Sequence, residues 1–265
     1  MRGENGMEGQ IISLMQQAME AAEIVDLSYT LEPGMPVWPT HARFGAIVYE
    51  TYDHGELSMH RQLSFGEHTG THLDAPKHFF KDGSSIEEVD VRSVIGRGVR
   101  IDAGFLKPCE SYTLKMLQEF EKQHGEFRKG DIILLHFGWE ERYGLGKEAG
   151  EFLKDWAGLG GDAAQYLLEK KVSCVGTDAL SLDAFGSETF PCHHMLLGAG
   201  IPILENLVNL QKLPVFSYVI GLSNKIKDGS ASPIRVIALI EKDAQKASGH
   251  GETGGPPLTK DEKGA

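Results

Sequence analysis

Apolar residues recur at helical spacing between positions 8 and 22. Ile11, Ile12, Leu14, Met15, Ala18, Met19 and Ala22 predict one amphipathic helix there. Ile24–Leu31 follows as a strand, stopped by Pro33-Gly34. Prolines at 36 and 39 make the next run, MPVWPTHARF, an extended loop rather than a strand centre. Ala46–Tyr52 and Arg61–Phe65 read as strands, and Val99–Ala103 and DIILLHF (131–137) as buried strands, with a helix over Tyr112–His124 between them. A second helix, Asp162–Lys171, leads into VSCVGTDALSLD, a strand that ends in a polar loop. Pro202–Leu207, Val215–Leu222 and Ile234–Glu241 complete the strands, and from Ala244 the chain is polar and rich in glycine and proline. No repeat or central linker interrupts this order, so the expected fold is one α/β domain with a mixed sheet. The expected divisions are an N-terminal helical arm (1–23), the domain proper (24–243) and a disordered tail (244–265).

Composition narrows the function classes. A chain of 265 residues, 41% hydrophobic and 24% charged, can bury a large core. Its net charge of −12 argues against nucleic acid or an anionic membrane as partner, since both call for basic surface. No apolar run approaches the ~20 residues of a membrane span. The polar opening MRGENGMEGQ has no signal-peptide core, so a cytoplasmic protein is expected. Cys109, Cys174 and Cys192 are odd in number and lack CxxC spacing, which fits free thiols better than disulfides or a thiolate zinc site.

The chemistry concentrates in GEHTGTHLDAPKHF (66–79), which holds three of the chain's 11 histidines and an aspartate. His68, His72, Asp74 and His78 are separated by even offsets, which on one strand would share a face. Yet His68 and His72 would then stand roughly 13 Å apart, too far to share an ion. Thr69, Gly70 and Thr71 are poor helix formers and Pro76 closes the run, so a helix fails too. A tight turn at Gly70, with positive φ, is the remaining way to fold His68 back onto His72 and Asp74. Two imidazoles and a carboxylate suit zinc, manganese or iron.

HTGTHLDAPKH matches the HxGTHxDxPxH signature of the cyclase-like metal-dependent hydrolases, a family that includes bacterial kynurenine formamidases, isatin hydrolases and trans-dienelactone hydrolases. MPVWP (35–39), VGTDALSLD (175–183), HHMLLGAGIPILENL (193–207) and SASPIRVIAL (230–239) resemble further segments of that family, so the likeness spans about residues 24–241. It implies a swivelling β/β/α fold with a mixed sheet, and a homodimer or homotetramer. By this resemblance the site holds one or two divalent metals per chain, zinc or manganese: His68, His72 and Asp74 match the ligands of the first, with Asp74 available to bridge to a second where there is one. His193 and Glu205 match ligands of that second ion, with His194 as the alternative if the register slips by one. His78 matches the general acid/base, and Trp38 the residue that stacks on a flat small-molecule substrate.

The implied reaction is metal-dependent hydrolysis of the amide bond of a small aromatic substrate, of the kynurenine formamidase (arylformamidase) kind. A cyclic amide or lactone is the alternative substrate, and a non-catalytic metal-binding protein on the same fold the rival class. The presence of His78 argues against that rival, because a pure binder needs ligands but no proton donor. Of the remaining groups, Glu67 is a candidate for orienting a histidine ligand. Asp178 and Asp183 divide evenly between turn caps and ligand contacts. His136 reads as a satisfied core histidine, and His41, His54, His60 and His124 as surface residues.

Overall fold

The computed structural model describes residues 5–242. The chain runs through α1 (Asn5–Ala21), β1 (Ala22–Asp26), β2 (Gly45–Glu50), β3 (His60–Ser64), β4 (His72–Asp74), β5 (Ile95–Asp102) and β6 (Ser111–Tyr112). It continues through α2 (Leu114–His124), β7 (Ile132–His136), β8 (Gly158–Leu159), α3 (Gly161–Lys170), β9 (Cys174–Thr177), α4 (Pro191–Gly198), β10 (Ile203–Glu205), β11 (Phe216–Ser223) and β12 (Ala231–Glu241). The tail assigned to 244–265 lies outside the described residues. None of the described helices is long and apolar enough to cross a membrane.

The main sheet is mixed, and it closes. Its order is β1-β12-β11-β5-β7-β9-β10-β4, and β4 pairs back onto β12. One edge of β12 serves two partners in succession: residues 231–233 pair with β4, and residues 237–241 with β1. β5, β7, β9 and β10 run parallel, joined by crossovers that carry α2, α3 and α4. β4, β11 and β12 complete the ring in antiparallel register.

The two faces of each strand feed two cores. Along β7, Ile132 and Leu134 join Leu73, Cys174, Leu204, Val219 and Val236 inside the closed sheet. Ile133 and Leu135 face outward against Leu117, Phe120, Ala163 and Leu167 of α2 and α3. A strand buried on both faces needs an unbroken apolar run, and IILLH supplies it.

Two elements stand apart. Among the described residues β2 and β3 pair only with each other, and Ile47, Tyr49, Leu57 and Leu63 of this hairpin are exposed. In α1, Ile11, Ile12, Leu14 and Met15 are exposed as well.

Candidate metal centre

β4 and β10 lie antiparallel, with His72 opposite Glu205 and Asp74 opposite Ile203. Directly opposed residues share a face, as do residues two apart. His72, Asp74 and Glu205 therefore leave one side of the sheet, while Leu73 and Leu204 enter the closed core on the other. His68 reaches the same place through the turn at Gly70, where φ is +62°. A Cβ on Gly70 would also come within 2.8 Å of Leu31 and Met35. His193 arrives from α4.

The distances describe one cluster. His68 Nδ1 lies 2.8 Å from Asp74 Oδ1, and His72 Nε2 3.3 Å from the same oxygen. His193 Nε2 lies 3.6 Å from Asp74 Oδ2 and 3.1 Å from Glu205 Oε1. His72 Nε2 lies 3.5 Å from Glu205 Oε2. Each carboxylate thus faces imidazoles on both sides.

Outer contacts aim these rings. His72 Nδ1 donates to Gly70 O at 2.8 Å, which turns Nε2 inward. Asp183 Oδ2 accepts from His193 Nδ1 at 2.6 Å, and the same carboxylate accepts the Cys192 and His193 backbone N–H groups at the start of α4. His68 Nε2 lies 3.2 Å from Ser230 Oγ, which donates to Glu67 Oε2 at 2.6 Å. The Leu182 N–H donates to Glu205 Oε1. His72 Nε2 and both Asp74 oxygens are buried, yet no group is placed to hydrogen-bond them well. Native proteins seldom leave such atoms unpaired, and their convergence with further nitrogen and oxygen donors fits a divalent cation.

The electrostatics agree. Burial pulls the His72 imidazole down, but Asp74 and Glu205 outweigh it and hold it at about 10. Burial likewise opposes the charge on His193, and Asp183, Asp74 and Glu205 raise it well above the ordinary histidine range. Burial and Asp74 push the Glu205 carboxyl up, but His193 and His72 draw it down to about 2. Positive charge is what these carboxylates require, and a divalent ion supplies it while displacing protons. His78 behaves differently. Burial lowers it to about 4, with His68 and His193 adding to the fall against Asp74 and Glu205. Its ring stands 4.1 Å from that of His68.

Above the cluster lies a cavity of about 190 Å³. Trp38, Phe79 and Phe190 line it, with His78, His193 and Glu205 at its polar end. Trp38 meets Trp156 and Phe190 edge-on at 6.1 and 6.3 Å.

Every expected site residue therefore reaches one place: Trp38, His68, His72, Asp74, His78, His193 and Glu205. His193 points into the cluster, whereas His194 is exposed and packs on Phe79 and Phe80. Asp178 is a cap, accepting from the Phe137 and Trp139 N–H groups. His136 is ion-paired, with Asp102 and Glu140 at 3.6 and 3.5 Å. His41 departs from the sequence reading. It is half-buried and lines the cavity, its ring 5.4 Å from that of His68. Its polar neighbours Thr40 and Arg43 gave it the look of a surface residue.

Comparison with known proteins points to the same chemistry. The family model Cyclase matches residues 25–184. An isatin hydrolase from Roseibium aggregatum is 31% identical over 248 residues, covering 83% of this chain and 92% of its own. A kynurenine formamidase from Erythrobacter litoralis is also 31% identical, covering 83% of this chain and 95% of its own. The crystal structure of an isatin hydrolase bound to the product analogue thioisatinate superposes with a TM-score of 0.83 at 28% identity, covering 89% of this chain and 100% of that one.

Proposed function

The chain belongs to the Cyclase family, and from that premise we propose that it is a divalent-metal-dependent hydrolase cleaving the amide C–N bond of a small aromatic substrate. The observation that carries this reading is the convergence of buried imidazole nitrogens and carboxylate oxygens, His72 Nε2 and both Asp74 oxygens among them, beneath an aromatic-walled cavity. His68, His72 and Asp74 would hold a zinc or manganese ion, and His193 and Glu205 would supply the ligands of a second; Asp74 faces His68 through one oxygen and His193 through the other.

A divalent ion bound by these residues would lower the pKa of water and polarise a carbonyl oxygen. The chain's own residues do the rest. His78, held unprotonated near pH 7, accepts a proton from the attacking water and returns it to the departing nitrogen. Trp38, Phe79 and Phe190 fix the plane of the ring and exclude bulk water. Glu67 acts through Ser230 to orient His68, and Asp183 orients His193.

The kynurenine formamidase and isatin hydrolase relatives are equally similar to this chain. An isatin ring and a formylated kynurenine share one feature: an acylated aromatic nitrogen with a carbonyl on the adjacent ring carbon. That is the substrate class proposed, with the linear formamide first and the cyclic amide or a lactone as the alternative. Turnover of aryl formamides, cyclic amides and lactones by metal-loaded protein tests it, and hydrolysis of none would refute it.

The exposed apolar residues of α1 and of the β2–β3 hairpin support assembly into a homodimer or homotetramer, which light scattering measures. The free thiols of Cys109, Cys174 and Cys192 suit a cytoplasmic setting.

A further inference from the structure

The cavity wall offers few polar groups beyond those already given roles. Set aside the cluster histidines, Glu205, His78 and Trp38, and among the described residues only His41 and Ser181 remain. No lysine or arginine lines the cavity among the described residues. A substrate handle read here is therefore met by a hydrogen bond and not by an ion pair with a basic side chain.

The loop places His41 for this purpose. The His41 N–H donates to Trp38 O at 2.9 Å, closing a four-residue turn with Pro39 second. Proline at that position suits such a turn, because its fixed φ matches the backbone required. The turn delivers Trp38 and His41 to the same cavity, three residues apart. His68 is in ring contact with both His78 and His41, at 4.1 and 5.4 Å. His41 and His78 thus flank His68 on the wall of one cavity, so a substrate whose scissile group sits at His78 can turn its neighbouring substituent toward His41. His41 belongs to none of the converging ligand sets, so its nitrogens are not committed to an ion. In either protonation state an imidazole carries at least one N–H donor.

We infer that His41 is a specificity residue, whose N–H donates to a carbonyl on the ring carbon next to the acylated nitrogen. This rests on the amide-hydrolase reading above and adds to it the group that distinguishes a preferred aryl amide from a plain anilide.

The test pairs two amides on the metal-loaded enzyme. N-formyl-2-aminoacetophenone carries the adjacent carbonyl, and formanilide lacks it. His41→Ala should raise KM for the first by about three- to tenfold, the worth of one hydrogen bond, and leave kcat nearly unchanged. KM for formanilide should move less than about twofold, and His41→Gln, which keeps an N–H donor, should recover most of the loss. Equal effects on both amides, or none on either, would overturn the inference. Equilibrium binding of 2-aminoacetophenone and aniline, read by tryptophan fluorescence, needs no turnover. There too, only the ketone should weaken in His41→Ala, and equal weakening or no binding of either would overturn the assignment. Hydrolysis of neither amide, with selective weakening of the ketone, would defeat the proposed reaction and leave His41 standing.

Discussion

Asp183 holds His193 from behind. Its Oδ2 accepts from His193 Nδ1 at 2.6 Å, so the opposite nitrogen, Nε2, faces Asp74 and Glu205. The same carboxylate caps the first N–H groups of α4, and so sets both the ring and the helix that carries it. Asp183→Ala should weaken metal binding about 10- to 100-fold, the usual cost of losing such an outer partner. Competition with a chelator of known affinity measures it. Unchanged affinity would mean that α4 is positioned by its packing alone.

Glu205 faces both His72 and His193. If it serves two ions, Glu205→Ala should lower the metal content from about two per chain to about one or fewer. Elemental analysis decides this. An unchanged count with normal activity would remove Glu205 from the centre.

His78 sits beside the cluster in a short 3-10 turn that Pro76 begins, half-buried and close to His68. His78→Ala should retain its metal and its fold, while kcat falls about 10²-fold or more. KM should change little, because the carbonyl meets the same cluster. Loss of metal in this variant would make His78 a ligand instead.

His136 makes a prediction about stability. Burial opposes its charge, but Asp102 and Glu140 raise it from 6.5 to about 9. A histidine raised in the folded state contributes stability that is fully present below 6.5 and is lost as pH climbs through about 9. Denaturant midpoints should therefore fall between pH 6.5 and 9.5 in wild type, and fall less in His136→Gln. Identical slopes in the two proteins would contradict the pairing.

Much of this site is legible in the sequence because the metal donors are packed into short runs. His68, His72, Asp74 and His78 lie within eleven residues, and the tight turn expected at Gly70, where the missing Cβ permits positive φ, is found there. Other features are settled by distant contacts. PCHHMLLG opens with a proline suited to a helix start but has no capping residue before it: Phe190 has φ of +42°, and the cap comes from Asp183, outside the helix. β5 begins at Ile95, four residues before its apolar run suggests, because Gly96 and Gly98 weaken the local pattern. Gly98 is demanded by the neighbouring strand, since a Cβ there would come within 2.5 Å of Val219. His41 reaches the cavity through a turn whose direction no local periodicity records.

The central claim is that this constellation hydrolyses an aryl amide only with a divalent ion in place. Protein stripped with a chelator and assayed on an aryl formamide measures it most directly. The account predicts that activity disappears with the metal and returns on adding zinc or manganese. Full activity in protein that elemental analysis finds free of transition metal would contradict it.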